Sequence, residues 1–204
     1  MPDGPAFTRR MAARASAGGD LSVSVVDERG RPIAAPGLAA WLRRVAPARA
    51  RGRVCVALVS DRRVRALNRA YRRKDYATDV LSFPAEKGPY PFSGGAKEKG
   101  YGPFFTTSPQ SPVPSPFLGD IVIARGVARR QAREARHREQ TELRVLALHG
   151  LLHLLAYDHD RDNGRMLRLE RRLRRKGGLH EGLIERTWRS THARGKRVEP
   201  RAPR

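Results

Sequence analysis

From Val145 to Tyr157 the chain has no charged residue, although its formal net charge is +22. A helix that is apolar on nearly all sides is a buried helix. The fold therefore has to build a core around this segment, "VLALHGLLHLLAY", from a chain otherwise crowded with arginine. The 204 residues suit one domain with room for such a core. Hydrophobic residues make up 39%, low for a compact domain, so part of the chain belongs to tails or loops.

The rest of the sequence sorts around that segment. Residues 1–20 read as a flexible basic leader. "LSVSVVDE" (21–28) alternates apolar and polar residues and predicts a strand. Leu38, Trp41, Leu42 and Val45 have helical spacing within residues 37–46. "RVCVALVS" (53–60) is a β-rich run, and Ser60 or Asp61 is placed to cap a helix carrying Val64, Leu67 and Tyr71. "DVLSF" (79–83) reads as a short strand stopped by Pro84.

Residues 84–117 are dense in Pro, Gly and Ser, without periodicity, and read as a mobile insertion. Its Tyr90, Phe92, Tyr101, Phe104 and Phe105 offer faces for base stacking; a spacer with incidental aromatics is the plainer reading. "LGDIVIA" (118–124) predicts another strand, followed by a basic surface helix. The apolar helix starts near Glu139, and another runs from about Asp162 to Lys176, ended by Gly177–Gly178. Residues 191–204 read as a basic disordered tail, which leaves one domain over 21–190. This order of elements predicts a single α/β or α+β domain.

The apolar segment contains His149 and His153, and His159 follows it: H-x3-H-x5-H. Residues i and i+4 share one helix face, so two imidazoles can address one ion. The third requires the helix to break, and Tyr157–Asp158 is the expected place. Three imidazoles and an open fourth position make a catalytic zinc geometry. A structural zinc would want a fourth protein ligand, and Cys55 is the only cysteine. The plain alternative is two core histidines and a surface one. Asp158 and Asp160 are candidate acceptors for imidazole N–H groups. Zinc peptidases with this spacing need a glutamate after the first histidine; here Gly150 stands there, which argues against that chemistry. Glycine inside a helix costs about 1 kcal/mol against alanine, so close packing or substrate approach should require it.

The charge predicts a polyanionic partner, nucleic acid first, unless it merely reflects an arginine-heavy proteome. A single cysteine permits no intramolecular disulfide and fits a reducing compartment, the cytoplasm. No apolar run approaches the ~20 residues of a membrane span. The leader lacks a signal-peptide core, though its basic Ser/Ala composition leaves an organelle transit peptide open.

"HGLLHLLAYDH" (149–159), "LNRAYRRKDYATDVLSFP" (67–84) and "LGDIVIA" (118–124) together resemble the YbeY family of metal-dependent endoribonucleases. The resemblance implies a small mixed central sheet of about four strands with about five helices. It implies one Zn2+ per chain held by His149, His153 and His159, at the floor of a basic cleft. It also implies that Arg72 projects into that cleft as the catalytic arginine; Arg73 and Lys74 lie beside it, placed to track the RNA backbone. The implied activity is cleavage of single-stranded RNA, not DNA, in 16S rRNA 3′-end maturation and ribosome quality control on the small subunit. Without the resemblance, Arg72 would read as one surface arginine among many. Asn68, Thr78, Asp79, Ser82 and Asp120 lie in the same segments, as catalytic groups or as turn and capping residues. The chain departs from the family where Ala156 replaces a glycine. A positive φ there would cost alanine about 1–2 kcal/mol. Two other functions fit the residues: a non-catalytic rRNA-binding assembly factor with a structural zinc, and a zinc hydrolase of peptides or small molecules.

Overall fold

The computed structural model describes residues 20–85, 116–158 and 162–179. The expected leader (apart from Asp20), most of the 84–117 insertion, the basic tail and His159 lie outside them. The described residues form one domain with a four-stranded mixed sheet and five helices. In chain order these are β1 Leu21–Val26, α1 Leu38–Val45, β2 Gly52–Val59, α2 Asp61–Arg72, β3 Val80–Pro84, β4 Phe117–Ala124, α3 Arg125–Glu134, α4 Glu139–Leu154 and α5 Arg165–Lys176. The strand order is β1-β2-β4-β3. β1, β2 and β4 are parallel, and β3 runs antiparallel to β4 at the edge.

Burial follows position in the sheet. The central strands are buried on both faces, so β2 reads "VCVALV" without a polar break. The edge strand β1 alternates instead, with Ser22 and Ser24 exposed. Val54, Val56 and Leu58 of β2 face the layer made by α1, α4 and α5. Cys55, Ala57 and Val59 face α2, against Val64 and Leu67. The apolar helix α4 is buried along almost its whole length, from Glu142 to Leu154 with few gaps.

Local rules explain most boundaries. Ser60 caps α2, its Oγ accepting from the Arg63 amide at 3.3 Å. Pro84 is the last residue of β3, not the residue beyond it, which an edge strand tolerates. α5 begins at Arg165, three residues later than expected, and Asp162 caps its first turn by accepting from the Met166 amide at 2.7 Å. The helix break expected at Tyr157–Asp158 falls earlier: α4 stops at Leu154. Ala156 takes φ +61°, its amide bonds to His153 O at 3.0 Å, and the Tyr157 amide bonds to Leu152 O at 3.1 Å. That pair of bonds is a Schellman motif with alanine in the left-handed position. α5 ends in the same motif, but with Gly178 at φ +74°.

Candidate functional site

His149 and His153 lie one turn apart on α4, and their Nε2 atoms are 3.0 Å from each other. The rings are edge-to-face, with centroids 4.7 Å apart. Two nitrogens that close share either a proton or a cation. Tetrahedral zinc with Zn–N bonds of ~2.0–2.1 Å holds its nitrogens about 3.3 Å apart, close to the observed spacing. The two imidazoles therefore fit one metal ion. His149 is buried and His153 half-buried, so the pair opens to solvent on the His153 side.

The far side of His149 is held by a residue the sequence reading missed. Its Nδ1 lies 3.2 Å from Glu170 Oε2, both side chains being buried. A carboxylate there fixes the tautomer: Nδ1–H donates to Glu170, and the Nε2 lone pair faces His153. Arg174 Nε is 3.8 Å from the other oxygen of Glu170. The signal was present in α5, where Met166, Leu169 and Leu173 form the apolar stripe and Glu170 and Arg174 fall at the same helical spacing. The expected acceptor Asp158 is half-buried, and Asp160 and His159 lie outside the described residues. Among the described residues no group of three His, Cys, Asp or Glu side chains is gathered to hold a metal.

Gly150 is demanded by packing. A Cβ there would lie 2.6 Å from Ile121 Cγ2 on β4. The close approach lets Ser82 Oγ donate to Gly150 O at 3.2 Å, which fastens α4 to the edge strand. Cys55 cannot join the histidines, because it faces α2 across the sheet. Burial, with the charge of Asp120, pushes its thiol up to about 12.

Arg72, Arg73 and Lys74 are exposed at the end of α2, on the other face of the sheet. Arg73 sits in the left-handed region at φ 57°, turning the chain out of the helix. Arg65 grips Asp75 through two bonds of 2.9 and 2.8 Å, and this hydrogen bonding holds the Asp75 carboxyl below its ordinary range. Asn68 Nδ2 donates to Tyr76 O at 2.9 Å. Asp79 accepts from Thr78, from the Val80 amide and from Gln131. Asn68, Thr78 and Asp79 are thus turn and bracing residues.

The ends of α2 and α4 reach one corner of the sheet from opposite faces. Tyr71 packs edge-to-face on Phe83, with centroids 5.1 Å apart. Leu154 lies against Gly119, where a Cβ would come within 2.9 Å of Leu154 Cδ2. Phe83 and Pro84 pair with Asp120 and Gly119, so both contacts fall on the same β3–β4 corner. Arg72 and the histidines thus approach this corner from opposite faces of the sheet. A cleft of about 630 Å³ opens elsewhere, lined by Glu28, Ser60, Asp61, Arg125 and Arg129. Its helix starts already have carboxylates, Glu28 on Ser60 and Asp61 on the Val127 amide. No helix among the described residues is long and apolar enough to cross a membrane.

The family model described as Endoribonuclease YbeY matches residues 36–177, a span that contains the His149–His153–Glu170 cluster and Arg72. An Endoribonuclease YbeY of Solibacter usitatus (strain Ellin6076) is 46% identical over 129 residues, 63% of this chain and 69% of the relative. One from Koribacter versatilis (strain Ellin345) is 40% identical over 147 residues, 72% of this chain and 79% of the relative. Packing, site residues and matched span coincide: this chain belongs to the Endoribonuclease YbeY family.

Proposed function

We propose that the protein is a zinc-dependent endoribonuclease that cleaves single-stranded RNA, acting on the 3′ end of 16S rRNA and in ribosome quality control in the cytoplasm. The observation that carries this reading is the 3.0 Å approach of two imidazole Nε2 atoms, backed by a buried carboxylate, in a chain of this family. His149 and His153, with His159 as the third ligand, would hold the ion. Zinc held there would supply Lewis-acid stabilisation of charge on a phosphoryl oxygen.

The chain's own residues do the rest. Glu170 keeps the His149 proton on Nδ1 and aims Nε2 outward. Ser82 and the missing side chain of Gly150 hold α4 at a fixed height above the sheet. Arg72 offers a planar, permanently charged fork for a phosphate and for charge growing in the transition state. Arg73 and Lys74 extend that charge along the strand of RNA. The test is cleavage of end-labelled single-stranded RNA by purified protein, by His149→Ala and by Arg72→Ala. Loss of cleavage in both variants is expected; full activity in both would mean a contaminating nuclease and end the reading.

A second reading has one observation of its own. The His149–Glu170 contact joins α4 to α5, as a structural metal site would. In that case the protein is a non-catalytic rRNA-binding assembly factor. Normal rRNA 3′ ends in a His153→Ala strain, with defects only on deletion, would favour it.

A further inference from the structure

The arginines of this molecule are not equivalent. On α3, Arg125 and Arg129 share Glu139, and Arg130 pairs with Asp61. α5 differs. Arg165, Arg168, Arg172, Arg175 and Lys176 are all exposed, at spacings that place them along one side of the helix. Among the described residues no carboxylate pairs with any of them. The one acidic residue of the helix, Glu170, is buried on the opposite side against His149. The stripe runs about 16 Å at ~1.5 Å per residue. Its like charges repel one another at every turn.

The stripe does not stand alone. Among the described residues, Arg165, Arg168, Leu169 and Arg172 line a groove of about 370 Å³ together with Tyr157. Tyr157 follows His153 by one turn's worth of chain, just past the end of α4. Arg49 sits over its ring, 3.9 Å from the centroid, and bonds to Leu155 O, so the ring is braced from behind. An aromatic wall beside a row of cations is the arrangement that takes a nucleobase and the phosphates next to it.

We propose that the outer side of α5, with Tyr157, is a docking track for the backbone of single-stranded RNA, separate from Arg72, Arg73 and Lys74 at the end of α2. The track begins at Tyr157, four residues after His153, and leads away along the helix. It rests on the reading of this protein as an RNA-cleaving enzyme. It adds a second, sequence-independent contact region that holds the strand while the corner of the sheet acts on it.

The test uses the full chain with Arg165, Arg168 and Arg172 changed together to Gln, and a matched variant with the same positions changed to Lys. Binding of a labelled single-stranded oligoribonucleotide is measured across a salt series. Each lost phosphate contact lowers the slope of log K against log salt by about 0.7 for a single strand. The Gln variant should therefore lose about 2 from the slope, and its affinity at 0.1 M salt should fall about tenfold to a hundredfold. The Lys variant should keep the wild-type slope. In cleavage, the Gln variant should raise KM and leave kcat unchanged. Wild-type slope and affinity in the Gln variant would overturn the proposal. So would a variant that binds RNA normally but loses binding to phosphatidylserine vesicles, since the stripe would then serve a membrane. If the wild type binds RNA through the stripe but cleaves none, the catalytic reading fails and the docking track stands.

Discussion

The two helix ends that meet at the β3–β4 corner are built in opposite ways. On α4, the helix that carries the histidines lies against Ile121 at Gly150 and is tied to the edge strand through Ser82, and His149 is held by a buried carboxylate. At the end of α2, Arg72, Arg73 and Lys74 stand in solvent, and only the turn beneath them is braced, by Arg65–Asp75 and Asn68–Tyr76. A metal ligand must sit within a few tenths of an ångström of its place, so packing fixes it. A phosphate-binding cation acts through charge and reach, so a mobile side chain on a firm turn suffices. On the proposed reading, orientation of a metal and electrostatic hold on a phosphate are divided between the two faces of one sheet, and they should fail separately.

The largest separation should come from Arg72. Arg72→Ala should lower kcat by about 10²–10³-fold, as loss of one preorganised donor does, while metal content stays at the wild-type level. A loss of metal in that variant would break the division. The converse is Glu170→Gln. It should weaken metal affinity about 10–100-fold through the lost carboxylate on His149, and leave RNA affinity at the end of α2 unchanged; competition with a chelator reads the first and a binding titration the second. Gly150→Ala sharpens the packing half. Alanine gains about 1 kcal/mol in a helix, but its Cβ meets Ile121 at 2.6 Å. Overpacking of this kind costs about 1–3 kcal/mol, so urea denaturation should show a net loss. The smallest effect belongs to Ala156→Gly. It relieves a left-handed alanine at about 1–2 kcal/mol and gives back about half of that as unfolded-chain entropy. The melting temperature should rise by about 2 °C; no rise would mean that the turn is not strained.

The sequence made some of this plain and hid the rest for physical reasons. Elements with a strong period and a local cap, such as α1 with Leu38, Trp41, Leu42 and Val45 or α2 after Ser60, were legible. So was the burial of α4 from Val145 onward, because a helical segment without charge has nowhere else to go. The end of α4 was displaced toward Tyr157 because alanine carries no stop signal; only the bonds from Ala156 and Tyr157 back into the last turn reveal it. A glycine in mid-helix points to packing or access, and the contact with Ile121 decides for packing. Glu170 was missed because it lies 21 residues from His149 in an arginine-rich helix, where a glutamate looks like one more surface charge. Its place on the stripe of Met166, Leu169 and Leu173 was the available signal.

The central claim is that α4 carries a metal centre rather than two histidines sharing a proton. Metal content per chain, measured by mass spectrometry on the purified wild type and on His149→Ala, tests it directly. The account predicts about one zinc ion per wild-type chain and none in the variant. A wild type without stoichiometric metal, or a variant that retains it in full, would contradict the account.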